Sequence, residues 1–135
     1  MARPNAALLD RLVNITEPVE DLNRAIGLAI GWLREDPTQP EGRRLYYIAP
    51  DDGSRVGGGL GDYVIIPDFL GGMDVTLRHA RRLGLSVAYI ERQSGRYNAA
   101  LRWEDQPSRG HAGYGGHPDM HVALVRALLT VELRP

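Results

Sequence analysis

Two strand-like runs joined by a tight turn constrain the fold of this chain most strongly. Residues 85–90 and 96–103 are rich in β-favouring side chains, and Ser94-Gly95 between them is a hairpin signal. Alternate positions of the second run form an apolar side and a side that is polar at three of four positions. The apolar side holds Tyr97, Ala99, Leu101 and Trp103, and the polar side holds Asn98, Ala100, Arg102 and Glu104. The hairpin therefore predicts an antiparallel sheet that helices cover incompletely.

Three amphipathic stripes at helical spacing accompany the hairpin. They predict helices near residues 17–34, 72–83 and 118–131, and a short extra helix is expected at about residues 6–14. Thr16 is the expected N-cap of the 17–34 helix, and Gly84 is the expected residue just past the 72–83 helix. Residues 45–49 and 63–66 are short strand-like runs. The positions predicted to be buried are Ile26, Ile30, Leu77, Val87, Leu101, Leu124 and Leu128.

Few strands and three apolar helix faces together predict an α+β fold, in which a small, mainly antiparallel sheet is covered by helices. A chain of 135 residues corresponds to a single domain that can bury a core of its own. We expect no linker and no internal repeat.

The composition excludes several chemistries. The chain has no cysteine, and all 16 of its basic residues are arginine. It therefore lacks a thiolate nucleophile, a disulfide, a cysteine-ligated metal, a lysine Schiff base and a Walker A lysine. A net charge of −1 argues against direct nucleic-acid binding and against an anionic membrane as partner. Arginine at the expense of lysine is typical of GC-rich genomes, so bacteria of that kind and their phages are the expected sources.

No signal peptide and no membrane span is expected, because the longest apolar stretch, residues 25–33, is about half a membrane span. The predicted location is the cytoplasm of a bacterial host cell.

Glycine is concentrated in two stretches, residues 53–61 and 110–116, which hold nine of the 16 glycines. Both are expected to be loops, and each has an arginine and a tyrosine nearby. Arginine and tyrosine are common interface anchors, and glycine lets a loop adapt to a partner. The alternative is that both stretches are surface connections with no role. The predicted partner-binding residues are Arg55, Asp62, Tyr63, Arg109, His111 and Tyr114, and the next candidates are Asn98, Arg102 and Glu104.

Other chemistry-bearing residues give weaker signals. His117 and His121 have the i, i+4 spacing of metal ligands, with His111 and Asp119 nearby, but no HExxH motif and no defined fourth ligand accompany them. The basic run 78–82 lies at the predicted end of a helix, where cations complement the helix dipole. The aspartates show no spacing that selects a catalytic pair. We therefore predict no catalytic residue, no metal, no cofactor and no enzymatic activity.

Three stretches, taken in order, resemble the phage ABA-sandwich domain family of small bacteriophage and prophage proteins. Residues 22–32 resemble its opening helix, with its Leu-Asp pair and terminal Gly-Trp or Gly-Leu, and residues 67–77 resemble its Pro-x-Tyr-Thr-x-Ser-Leu-Asp-Ala-Ala-Leu motif. Residues 113–124 resemble its final helix, which opens Gly-x-Ala-Thr-Pro-Ala-Leu-Ala-Leu. The chain departs from the pattern at Gly72, usually Ser, and at His117, usually Thr. The resemblance implies an α/β/α sandwich of phage origin and no particular reaction.

These observations predict a non-catalytic phage- or prophage-encoded accessory protein that binds a protein complex of the bacterial host or of the phage. A counter-defence role, such as inhibition of a CRISPR complex, is the favoured example. One alternative is a small-ligand-binding or metal-binding protein, or a minor enzyme, that uses the Asp- and His-bearing glycine-rich loops. A second alternative is a structural or assembly accessory of the virion.

Overall fold

A computed structural model describes residues 5–36, 38, 66–106, 108 and 110–132, together with the backbone of residues 45–48 and 55–56. This part of the chain forms four helices and six strands. In chain order they are α1 (Ala6–Arg11), α2 (Val19–Ala29), β1 (Leu33–Glu35), β2 (Leu45–Ile48), β3 (Arg55–Val56), α3 (Asp74–Arg82), β4 (Leu85–Gln93), β5 (Arg96–Trp103), β6 (Gly113–His117) and α4 (Met120–Leu129).

The strands form two antiparallel sheets of three strands each, β1–β2–β3 and β4–β5–β6. The predicted hairpin is confirmed, since Gln93 pairs with Arg96 and only Ser94 and Gly95 lie between them. Both turn residues have positive φ, 52° and 77°, as a type I′ turn requires. The register of β4 shifts between Val87 and Tyr89, which makes Ala88 a β-bulge.

One hydrophobic core joins the helices to the β4–β5–β6 sheet. The helices α3 and α4 both contact this sheet and also contact each other, and the predicted small α+β fold is confirmed. Leu77 and Val87 are half-buried and pack against the core. The other predicted core positions are buried: Ile26, Ile30, Leu101, Leu124 and Leu128.

The helix predicted over residues 17–34 is shorter than expected at both ends. It begins at Val19 with Pro18 at the N-cap position, so Thr16 is not its cap. At the other end, Gly31 adopts a φ of +80° and terminates the helix. The chain then folds back, and the side chain of Leu33 packs so closely on Gly27 that a β-carbon there would lie 2.6 Å from it. The apolar stripe continues to Leu33 because that residue is buried in β1 rather than in the helix.

The other helix ends follow local signals more closely. Gly84, with a φ of +87°, follows α3 as predicted. The last helix begins at Met120 rather than at Pro118, and its N-cap is Asp119, whose carboxylate accepts the backbone N–H groups of His121 and Val122.

The second glycine-rich stretch is not the continuous loop that the sequence predicts, because Gly113–His117 forms β6 at the edge of the main sheet. Its glycines allow α4 to approach the strand closely. A β-carbon on Gly113 would lie 2.2 Å from the carbonyl oxygen of Ala127, and one on Gly115 would lie 2.5 Å from the carbonyl oxygen of Ala123. Glycine here therefore serves close helix–strand packing rather than loop adaptability.

Within the described residues, no helix combines the length and the apolar character that crossing a membrane would require.

Candidate partner-binding surface

The face of the β4–β5–β6 sheet that points away from the core is called here the outer face. Side chains alternate along β5, so that Ala99 and Leu101 enter the core and their neighbours point outward. The register then assigns the residues paired with those neighbours to the same face. The outer face carries Ser86, Tyr89, Glu91 and Gln93 from β4, Arg96, Asn98, Ala100 and Arg102 from β5, and Tyr114 and Gly116 from β6.

A row of three residues crosses the centre of the outer face. Tyr89 pairs with Ala100, and Ala100 pairs with Tyr114, so two aromatic rings flank a small side chain. Ala100 has no exposed surface, whereas Tyr114 is 50% exposed. The ring of His111 meets the ring of Tyr89 edge to face, with 5.1 Å between centroids. Aromatic surface therefore lies on both sides of the buried Ala100.

The backbone beneath Tyr114 is held by α4. The Tyr114 N–H donates to Oγ1 of Thr130 at 2.9 Å, and that hydroxyl also lies 3.2 Å from the Tyr114 carbonyl oxygen. Further along the same edge, the Arg126 guanidinium donates to the carbonyl of Gly116. Because these side chains occupy backbone groups at the sheet edge, they protect β6 from pairing with another strand and fix the position of the outer face.

Polar side chains surround the aromatic row. Arg102 Nε donates to Ser86 Oγ at 3.4 Å, which links β5 to β4. A β-carbon on Gly116 would lie 2.9 Å from Asn98 Oδ1 and 3.5 Å from a terminal guanidinium nitrogen of Arg96, so both side chains lie across this glycine. With Glu91 on β4, the charges of the face are mixed in sign.

Two of the six predicted partner-binding residues lie at this surface. Tyr114 is on the outer face, and His111 contacts it through Tyr89. The backbone of Arg55 pairs with Ile48 in the smaller sheet, and its side chain is outside the described residues. Asp62, Tyr63 and Arg109 are also outside the described residues. Of the next candidates, Asn98 and Arg102 are on the outer face, and Glu104 is exposed just after β5.

Tyr89 is the surface residue that sequence reasoning missed. Leu85 and Val87 point into the core, and strict alternation would send residue 89 the same way. The bulge at Ala88 reverses the alternation and turns Tyr89 outward. No local sequence signal marks that bulge, because Ala88 is an ordinary strand residue.

His117 is engaged in holding the fold together. Its Nδ1 accepts the backbone N–H of Asp119 at 2.9 Å, and the backbone of Val13 is near enough to oppose the decrease in its pKa. Burial, followed by the charge of Arg126, lowers the pKa of His117, although Asp119 opposes this shift. Among the described residues, no three His, Asp or Glu side chains are grouped so that they could hold a metal ion.

The basic run 78–82 is not uniformly exposed. Arg81 and Arg82 lie in the last turn of α3, as the dipole argument expects, but His79 is buried in the core.

The outer face offers aromatic, arginine and amide groups of the kinds that are suited to recognition. Comparison with protein-family models, with curated proteins and with solved structures finds no match to this chain.

Proposed function

We propose that this chain is a non-catalytic accessory protein that binds a protein partner through the outer face. The observation that carries the proposal is the row Tyr89–Ala100–Tyr114, in which exposed aromatic surface is mounted on backbone that Thr130 fixes. Rigid aromatic anchors lose little conformational entropy on binding, and tyrosine and arginine are enriched among residues that dominate interface energetics. Arg102 and Asn98 supply the polar surroundings such anchors require.

A protein fits the outer face better than a nucleic acid does. Phosphate binding requires a large surplus of positive charge. The face has two arginines, Arg96 and Arg102, against one carboxylate, Glu91, and the whole chain has a net charge of −1. Mixed charges around an aromatic centre are typical of protein–protein interfaces.

The outer face is too small to be the whole interface. The strands β4, β5 and β6 have nine, eight and five residues. Together they cover roughly 15 Å by 25 Å, or about 375 Å², against about 800 Å² per partner in a stable complex. We propose that the predicted residues Arg55, Asp62, Tyr63 and Arg109 contribute the remainder, with His111 at the boundary.

The proposed setting follows from the resemblance to the phage ABA-sandwich family. The protein would be encoded by a phage or prophage, would act in the host cytoplasm, and would bind a host or phage protein complex, with a counter-defence role favoured. A virion assembly accessory would use the same surface on a different partner. The other alternative, a ligand-binding or metal-binding protein or a minor enzyme, would use the glycine-rich loops instead.

Co-purification from a phage-infected bacterial host tests this proposal. Tagged wild-type protein is expected to retain one protein complex at fixed stoichiometry, and the Tyr89→Ser/Tyr114→Ser variant is expected to lose it. Arg78→Ala, an exposed change on α3, is the matched control and should retain the complex. If all three proteins retain the complex equally, the interface does not include the outer face. A thermal shift with divalent metals or nucleotides, without any captured protein, would favour the small-ligand alternative.

A further inference from the structure

We propose that the cleft between α1, β6 and α4 binds a small zwitterion of the free α-amino acid type. The cleft has a volume of about 230 Å³ and is lined by Ala6 and Asp10 of α1, Gly116 of β6, and Arg126 and Thr130 of α4, among others. Pockets for drug-sized ligands run from about 300 to 1,000 Å³, so this one suits a smaller molecule. The cleft adjoins the outer face, with which it shares Tyr114 and Gly116, and its other lining residues lie outside that face.

Arg126 provides the positive end of the cleft. Its guanidinium is held in place by donating to the Gly116 carbonyl, and no described carboxylate is in ion-pair contact with it. A guanidinium carries five N–H donors in a rigid planar fork, so most of its donors remain after that bond. Burial, and then the nearby charge of Arg96, lower the pKa of Arg126, and the negative charge of Asp10 opposes this decrease without reversing it. A carboxylate in the cleft would add to the negative charge around Arg126.

Asp10 provides the negative end. It is exposed and lies in the last turn of α1, where a carboxylate gains nothing from the helix dipole. Asp10 acts on Arg126 through its charge, yet the two side chains do not close into a salt bridge. Opposite charges therefore line one small cleft without forming an ion-pair contact. A simple anion would be repelled by Asp10 and a simple cation by Arg126, whereas a zwitterion is attracted at both ends.

The protective contact of Arg126 with the edge of β6 does not account for Asp10. Edge protection needs only the bonds from Thr130 and Arg126 to the backbone of β6. Asp10 takes no part in those bonds. A change in ligand affinity on substitution of Asp10 would therefore reflect ligand binding and not edge protection.

Calorimetric titration of the full chain with glycine, L-alanine and L-serine tests the proposal. At least one of them is expected to bind with a Kd below about 10 mM. N-acetyl-L-alanine, which lacks the ammonium, and L-alaninamide, which lacks the carboxylate, are expected to bind at least tenfold more weakly. Failure of all three free amino acids to bind, or equal binding of either blocked form, would overturn the proposal.

Variants in the two walls locate the site. Asp10→Asn and Arg126→Gln should each weaken amino acid binding at least tenfold. Ala6→Leu should fill the cleft and abolish binding. Asp10 and Ala6 are exposed, so these two variants remain informative even where Arg126→Gln loosens β6. Glu20→Gln, an exposed change on α2, is the control. Unchanged affinity in both Asp10→Asn and Ala6→Leu would contradict this location.

Discussion

Asn23 is the buried polar residue that ties α2 to the segment before α3. It is 6% exposed, and its amide donates to Asp68 Oδ1 at 3.0 Å and accepts the Leu70 N–H at 3.2 Å. Asp68 in turn accepts the N–H of Gly71 at 3.0 Å. One side chain of α2 therefore satisfies two polar groups in the segment before α3.

Removal of this amide should be costly. Asn23→Ala leaves the Leu70 N–H without its acceptor in a buried position, and we expect a loss of about 1–3 kcal/mol in the free energy of unfolding. Urea denaturation followed by circular dichroism measures it. Asn14→Ala, at an exposed position, should change stability by less than about 0.5 kcal/mol. Equal effects of the two changes would show that Asn23 is not a structural link.

His79 links α3 to the end of α2. Its Nε2–H donates to the Ile30 carbonyl at 2.6 Å, and its ring centroid lies 5.4 Å from that of Trp32. Its Nδ1 is buried without a hydrogen-bond partner in the described structure. Burial lowers the pKa of His79 to about 4, despite the opposing bond to Ile30, and the charge of Arg82 contributes to the decrease. The folded protein therefore holds this imidazole neutral.

This low pKa predicts that the protein becomes less stable as the pH is lowered. Between about pH 6.5 and pH 4 the unfolded chain takes up a proton at His79 and the folded chain does not, so stability is full above pH 6.5 and decreases towards pH 4. The full decrease from this group is about 3 kcal/mol. Denaturation of wild type and His79→Asn across this range measures the difference in slope. An NMR titration in which His79 protonates near pH 6.5 would contradict the account.

Among the elements, the contact between α4 and β6 depends most on residue size. Gly115→Ala would place a β-carbon 2.5 Å from backbone atoms of both Ala123 and Ala127, so the helix must move away from the sheet. We expect a loss of about 1–3 kcal/mol, as for other overpacked sites. The matched control is Gly72→Ala, since nothing lies within 4 Å of the added atom. Thermal unfolding of both variants tests this, and equal stability would mean that α4 is not held closely against β6.

Elements defined by local signals were predictable from sequence, and those defined by distant contacts were not. The Ser94-Gly95 hairpin and the Gly84 helix end follow from turn chemistry within a few residues. The strand Gly113–His117 has a loop-like composition, because its glycines reflect the distance to α4 and not backbone freedom. Similarly, the apolar stripe of α2 runs on to Leu33, although Gly31 has already ended the helix.

The candidate surface was predictable in part for the same reason. Alternation along β5 identified the polar side with Asn98 and Arg102, and composition pointed to Tyr114 and His111. The outward turn of Tyr89 depends on a bulge that only the pairing with β5 reveals. The row Tyr89–Ala100–Tyr114 could therefore be identified only from the pairing register of three strands.

At the scale of the whole molecule, the core and the outer face are separate. Helices α3 and α4 pack on the inner side of the main sheet, whereas Tyr114 and Glu91 are exposed on the other side. Surface changes away from special features usually alter stability by less than about 0.5 kcal/mol. Changes to exposed groups of the outer face should therefore affect partner binding and leave the melting temperature nearly unchanged.

The affinity between purified protein and its purified partner tests the central claim most directly. Calorimetry with wild type, Tyr114→Ala/Arg102→Ala and the control Arg78→Ala gives three dissociation constants to compare. We predict that the outer-face variant binds at least tenfold more weakly, a loss of about 1.4 kcal/mol, with its melting temperature and the affinity of the control unchanged. An outer-face variant that binds its partner as tightly as wild type would contradict the claim that this chain acts through the outer face of its β4–β5–β6 sheet.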